Sequence, residues 1–128
     1  MEIGHNANSL AYIGDAVFEL MVRRRLIQLG VGDTGKLTTM AHSFVCAGFQ
    51  SAAVESLLPV LTDQETEIYK RGRNANSTAR PKRATVAEYR RATGLEALFG
   101  HLYLTDQISR LEQLFDLVYQ GEMQEKTI

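Results

Sequence analysis

Apolar residues recur along this chain at spacings of three and four, and no segment alternates apolar and polar residues over the length of a strand. This pattern predicts an all-α fold. The first helix is predicted from Ser9, as its N-cap, to Leu29, with Gly30 directly after its end. Its inward stripe is predicted to comprise Leu10, Ile13, Val17, Leu20 and Met21.

The later segments repeat the helical spacing and bring the expected total to about six to seven helices in one compact domain. Two T-x-x-E patterns, at Thr62 and at Thr85, are typical of capping boxes that open helices. Shorter helices are predicted over residues 34–42 and 45–58, and the last from Thr105–Asp106 to Gly121. We therefore expect a folded domain over residues 9–121, with flexible ends at residues 1–8 and 122–128.

The composition is that of a globular protein, and it indicates no particular activity. Hydrophobic residues make up 45% of the chain and charged residues 23%, as in ordinary globular proteins. No run of 18 apolar residues is present, so we expect no membrane span, and the N-terminal residues do not resemble a signal peptide. Cys46 is the single cysteine, which excludes an internal disulfide and favours a cytoplasmic location.

Positive charge is concentrated in one segment. Residues 70–91 hold eight basic residues and one acidic residue, a net charge of +7, whereas the remainder has six basic and fourteen acidic residues, a net charge of −8. The polar stretch at residues 72–83, GRNANSTARPKR, is predicted to be a loop that is either simply solvated or contacts phosphates of a nucleic acid. We favour the nucleic-acid contact, and its candidate residues are Arg71, Arg73, Asn74, Asn76, Arg80, Lys82 and Arg83.

Two acidic residues stand in apolar, small-residue surroundings. Asp15 follows Gly14 in the first helix, and Glu96 is flanked by Ala97 and Gly100 in a later one. A carboxylate buried in an apolar surface costs several kcal/mol unless it has a partner. Small residues would let the two helices approach closely and bring the two carboxylates together.

Two such carboxylates would repel each other unless one kept a proton or a divalent cation bound both. Oxygen ligands favour Mg²⁺. The alternative is that each acid pairs separately with an arginine of the basic segment. Glu19 is either a further metal ligand or the partner of Arg23 four residues on, and we favour the pair.

Two motifs carry a resemblance to a known family. LAYIGDAVFEL at residues 10–20 resembles the signature helix of the ribonuclease III catalytic domain, and GLEALFGHLYL at residues 94–104 resembles its second acidic motif. RGRNANS at residues 71–77, followed by Pro81 and Lys82, is similar to the short subgroup, Mini-ribonuclease III. That subgroup lacks a double-stranded-RNA-binding domain. The resemblance covers residues 9–119.

The resemblance implies roles for both acids. Asp15 matches the catalytic Asp of the family and Glu96 its metal-ligating Glu, so both are expected to hold Mg²⁺ and take part in catalysis. Full-length relatives carry further acids at the positions of Asn8, Ala11 and Thr93 in this chain. We therefore expect one Mg²⁺ site and leave a second open.

The resemblance also implies a homodimer in which Tyr12 contacts the partner subunit. The expected function is Mg²⁺-dependent endonucleolytic cleavage of double-stranded RNA, giving 5′-phosphate and 3′-hydroxyl ends. The expected substrate is a stem of the precursor of large-subunit (23S) ribosomal RNA, with a ribosomal protein as a further candidate partner. The alternatives are a non-catalytic helical RNA-binding module and a protein-binding helical adaptor.

Overall fold

The structure is a computed structural model that describes residues 6–75 and 84–127, with side chains up to Leu117. These residues form six α-helices and one short 3₁₀ turn. These residues contain no strand, which confirms the all-α prediction. The elements in order are α1 (Ala7–Gln28), α2 (Thr34–Val45), α3 (Ala47–Leu57), the 3₁₀ turn (Leu58–Val60), α4 (Asp63–Arg73), α5 (Val86–Leu104) and α6 (Ile108–Thr127).

Helix α1 begins earlier than predicted. Asn6, not Ser9, is its N-cap, and the Asn6 side chain accepts a 2.8 Å hydrogen bond from the backbone N–H of Ser9. Asn and Ser are similarly good caps, so the choice between them rests on where the chain enters the fold. At the other end, Gly30 has a φ of 95°, which confirms its predicted position just after the helix.

Helix α6 begins and ends later than predicted. Asp106 has a φ of 58° and ends α5, and the backbone N–H of Gln107 donates to the carbonyl of Leu102 at 2.8 Å. The last helix therefore begins at Ile108 rather than at Thr105. It also continues past Gly121 to Thr127, because a glycine weakens a helix by only about 1 kcal/mol without necessarily ending it. The flexibility expected for residues 1–8 and 122–128 stays a prediction.

The two predicted capping boxes are confirmed. The backbone N–H of Thr62 donates to Glu65 Oε1 at 2.9 Å, and the N–H of Glu65 donates to Thr62 Oγ1 at 3.1 Å. Thr85 and Glu88 form the equivalent pair, with both distances at 3.0 Å. These bonds satisfy backbone donors at the starts of α4 and α5, so both helices begin where the sequence indicates.

Glu65 also joins α4 to α6. Its side chain is buried, and its carboxylate accepts hydrogen bonds from Arg110 Nε at 2.9 Å and Nη2 at 2.8 Å. The same guanidinium donates to the carbonyl of Val60 at 2.8 Å. Bonding to Arg110 holds the pKa of Glu65 below its usual range, although burial opposes this shift. A buried charge is thus fully paired here.

The core is organised around α5, which packs against α1, α3, α4 and α6. The ring of Phe18 stacks on that of Phe99 with 4.5 Å between centroids, and its edge meets Phe115 at 6.5 Å. Leu20 is 66% exposed, so the prediction that it points inward is wrong. The buried stripe of α1 follows Leu10, Ala11, Gly14, Val17, Phe18, Val22 and Leu26, which leaves Leu20 on another side of the helix.

No single helix among the described residues is long and apolar enough to cross a membrane. Within the described residues, α2 and residues 47–60 are together long and apolar enough, but they are bent by 56° relative to each other.

Helices α1 and α5 touch backbone to backbone at two glycines. A Cβ atom added at Gly14 would lie 1.7 Å from the carbonyl oxygen of Glu96, and one at Gly100 would lie 2.0 Å from that of Leu10. These are distances that no side chain tolerates, so only glycine permits this approach. The close contact expected from the small residues is therefore present, and it fixes the position of α5 along the axis of α1.

We predict that Gly100→Ala lowers the free energy of unfolding by about 3 kcal/mol, because a methyl group there overpacks against the α1 backbone. Gly32→Ala is the matched control, since a Cβ at Gly32 meets nothing within 4 Å. Its effect should stay within about 0.5 kcal/mol. Urea denaturation followed by circular dichroism measures both, and equal stabilities of the two variants would contradict the close contact.

Candidate functional site

Asp15 on α1 and Glu96 on α5 face each other across the glycine contact. Their carboxyl groups lie close enough to share a hydrogen bond. The cause is local, because Gly14 precedes Asp15 and rests against the carbonyl of Glu96 itself. The structure thus brings together the two acids that the sequence singled out.

The two acids have unequal surroundings. Asp15 is exposed, whereas Glu96 is half-buried. The expectation that Asp15 would be the buried acid of an apolar helix is therefore incorrect. Asp15 lies beside the buried stripe of α1 and not within it, so the cost of burial falls on Glu96.

Burial raises the pKa of Glu96 to about 8. A hydrogen bond with Asp15 and the negative charge of Asp15 contribute to this rise in pKa, and the nearby amide of Gln50 acts in the opposite direction. Glu96 therefore holds a proton near neutral pH in the cation-free protein. This is one of the two ways in which a close pair of carboxyl groups avoids repulsion.

A cavity of about 450 Å³ opens above the two carboxyl groups, between α1, α3 and α5. Asn8, Ala11 and Thr93, the positions where the resemblance expects further acids in longer relatives, all line it. The Thr93 hydroxyl donates to the carbonyl of Tyr89 at 2.9 Å. Polar and apolar side chains together line the cavity, and Asp15 and Glu96 are its two acidic lining residues.

The donor atoms fit a hard divalent cation. Carboxylate oxygens suit Mg²⁺, which keeps several waters and needs only one or two protein carboxylates. No group of three or more His, Cys, Asp or Glu that could hold a metal occurs in the described part of the chain. Water or phosphate oxygens would therefore complete the coordination of a cation held by Asp15 and Glu96.

The alternative for the two acids is that each pairs with an arginine, and the ion pairs of the described residues bear on it. There, neither Asp15 nor Glu96 forms a salt bridge with an arginine. Glu19 does form one, with Arg23 at 2.8 Å, which confirms the favoured pair. Glu19 does not line the cavity.

Gln50 is a residue of this site that sequence reasoning missed. Its side chain projects from α3, is 1% exposed and lines the cavity beside Glu96. Its Nε2 atom has no hydrogen-bond partner among the described residues. The available signal was the helical position of Gln50, because it precedes Ala53, Val54 and Leu57 by three, four and seven residues on an apolar face.

The basic candidates are only partly in a loop. Helix α4 continues to Arg73 and Asn74 is its C-cap, so the prediction that the loop begins at Gly72 is wrong. Gly72 is buried against α5, where an added Cβ would lie 2.6 Å from that of Ala97. This packing keeps Arg71 and Arg73 in the last turn of the helix.

Arg73 is held in place by its neighbours. Its guanidinium lies 5.8 Å from the ring centroid of Tyr69, and its Nε donates to Asn74 Oδ1 at 3.1 Å. The remaining candidates, Asn76, Arg80, Lys82 and Arg83, lie outside the described residues.

Three large apolar side chains project into solvent from α1. Tyr12 is 85% exposed, Leu20 66% and Ile27 62%. Tyr12 also lines the cavity that holds Asp15, so this surface adjoins the acidic site.

Comparison with known proteins gives consistent matches. A family model described as Ribonuclease III domain matches residues 8–107. A Mini-ribonuclease 3 from Symbiobacterium thermophilum is 42% identical over 118 residues, which cover 89% of this chain and 91% of that protein. Another from Streptococcus pneumoniae is 44% identical over 111 residues, covering 85% and 87%. A crystal structure of a protein from Fusobacterium nucleatum is similar with a TM-score of 0.83 and 30% identity, over 94% of this chain and 96% of that one.

We predict that the cation-free protein loses stability as pH rises. Folded Glu96 has a pKa of about 8 against an ordinary value of 4.5, so it binds its proton more tightly than in the unfolded chain. Its stabilising effect is complete at low pH and is lost between about pH 5 and pH 8, by up to about 1.4 kcal/mol per pH unit.

The Glu96→Gln variant should remove this slope, because an amide does not titrate. Urea denaturation at several pH values with EDTA present measures it. Glu67→Gln, at an exposed carboxylate of α4, is the control and should keep the slope. Parallel pH profiles for the Glu96→Gln variant and the parent would contradict the assignment.

Proposed function

This chain belongs to the ribonuclease III domain family, in the group of Mini-ribonuclease 3 proteins, and is an endoribonuclease; from its acidic site we propose that it cleaves double-stranded RNA with Mg²⁺ held by Asp15 and Glu96. Enzymes of this family act on double-stranded RNA, generally as dimers. The observation that carries the proposal is the pair of neighbouring carboxyl groups that line an open cavity.

The two carboxylates have different tasks in the proposed mechanism. When bound, Mg²⁺ lowers the pKa of a coordinated water and screens the charge that develops on the phosphate. Glu96, half-buried on α5, anchors the inner side of the site. Asp15 is exposed and orients the attacking water and accepts its proton. The new P–O bond forms as the bond to the 3′ oxygen breaks, and the leaving oxygen takes a proton from water. The products are a 5′-phosphate and a 3′-hydroxyl.

The basic residues at the end of α4 are proposed to bind the RNA backbone. Duplex RNA is recognised mainly by its shape and by contacts to phosphates and 2′-hydroxyls. Gly72, between Arg71 and Arg73, packs against Gly94 of α5, two residues before Glu96. Phosphates held by this segment would therefore lie near the acidic site. We extend the proposal to Asn74, Asn76, Arg80, Lys82 and Arg83 on the basis of sequence.

We further propose a homodimer formed through the exposed apolar face of α1. A surface that presents Tyr12, Leu20 and Ile27 together is typical of an interface. Tyr12 lines the cavity beside Asp15, so a partner bound there would complete its wall. Each subunit would then cut one strand of the duplex.

The substrate we propose is a stem of the 23S ribosomal RNA precursor, whose ends the enzyme would mature in the cytoplasm. Support comes from the similarity of RGRNANS at residues 71–77 to the Mini-ribonuclease III subgroup. A ribosomal protein that presents the stem is a candidate further partner.

Asp15→Asn should lower the rate of cleavage at least about 100-fold, because the variant loses a carboxylate that binds the cation and accepts a proton. The assay follows a labelled RNA duplex with Mg²⁺, and EDTA should abolish cleavage by the parent. Glu67→Gln, at an exposed carboxylate on α4, is the control and should cleave at the parental rate. Cleavage by the Asp15→Asn variant at the rate of the parent would refute the mechanism.

Arg73→Ala should weaken duplex binding and lower the slope of log affinity against log salt by about one, because one phosphate contact and its released counterion are lost. Binding is best measured in the Asp15→Asn background, so that the RNA stays intact. Arg24→Ala, on α1 and outside the basic segment, is the matched control. If both variants kept the parental slope, Arg73 would not contact RNA.

A further inference from the structure

We propose that Gln50 is a positioning residue of the acidic site, whose side-chain amide holds the Glu96 carboxylate in the orientation that binds a divalent cation. This inference rests on the proposed function, because it assumes that Asp15 and Glu96 bind the cation. It concerns a residue that contributes no ligand itself.

The amide nitrogen of Gln50 is buried without a hydrogen bond that would offset its burial. The side chain is 1% exposed, and Nε2 is the one buried side-chain polar atom without a partner among the described residues. A buried donor normally has a partner, because leaving it unpaired forfeits its hydration. A glutamine that served only to pack this apolar helix face would therefore lower the stability of the fold relative to an apolar side chain.

The location of Gln50 suggests what its partner is. The residue lines the same cavity as Asp15 and Glu96, and its amide is near enough to Glu96 to favour the ionised form of that carboxyl group. The unpaired donor of Gln50 is thus close to the acid on α5.

The chemistry of the cation-bound state supplies the missing acceptor. A carboxylate that binds a cation through one oxygen keeps the other oxygen free to accept a hydrogen bond. Groups that orient metal ligands in this way are worth about 10- to 100-fold in metal affinity. Nε2 of Gln50, which has no hydrogen bond of ordinary geometry in the cation-free protein, would then donate to that oxygen.

Removal of the Gln50 amide should therefore leave the stability of the cation-free protein unchanged or raised, but lower its affinity for Mg²⁺. Gln50→Met keeps the length and approximate volume of the side chain and deletes the donor. In EDTA, the Tm of this variant should equal or exceed that of the parent, because no buried donor remains unpaired. Its Kd for Mg²⁺, measured by calorimetry on the RNA-free protein, should rise about tenfold.

Ser51→Ala is the matched control, since Ser51 is the next residue of α3, is buried and does not line the cavity. Its Kd for Mg²⁺ should equal that of the parent. A fall in both Tm and affinity for the Gln50→Met variant would indicate a structural glutamine and overturn the inference. An unchanged affinity would overturn it equally.

A second measurement needs no variant of Gln50. In the ¹H–¹⁵N spectrum of the parent protein, the side-chain amide resonance of Gln50 should move on saturation with MgCl₂, as one of its protons becomes hydrogen-bonded. An unmoved resonance would contradict the role of Gln50.

The Asp15→Asn variant separates this inference from the proposed function. If the parent protein failed to bind Mg²⁺, or bound it as tightly after Asp15→Asn, the cation site itself would be wrong. If Asp15 were required and Gln50 were not, only the role of Gln50 would fail.

Discussion

The architecture depends on the direct backbone contact between α1 and α5. Gly14 meets the carbonyl of Glu96, and Gly100 meets that of Leu10, so two points along the helices fix their separation and their register. The stack of Phe18 on Phe99 fills the core beside this contact. Because Asp15 and Glu96 adjoin the first of these points, the same packing that stabilises the core sets the distance between the two carboxyl groups.

That contact gives the two acids different properties. Glu96 belongs to the central helix, which is covered by four others, and its burial raises its pKa. Asp15 stands at the edge of the buried face of α1 and meets solvent. The inner carboxyl group prefers to keep a proton, whereas the outer one is in contact with water. The cation that we propose for this site would have to displace that proton.

The protein treats its buried polar groups in two distinct ways. The Glu65 carboxylate accepts hydrogen bonds from Arg110 and from the backbone N–H of Thr62, the N-cap of α4, so its charge is compensated within the fold. Gln50 and Glu96 are not compensated in this manner, and they lie together on the wall of the same cavity. The difference distinguishes a structural ion pair from the polar groups of the proposed site.

The sequence by itself determined the helical class, both capping boxes, the glycine after α1 and the pairing of Asp15 with Glu96. These depend on residues a few positions apart, or on small residues that mark a close approach. Only the tertiary structure decided that Leu20 faces solvent, that Glu96 rather than Asp15 is buried, and that Gln50 joins the site. Burial is set by which helix covers each face, and the residues that cover it are distant along the chain.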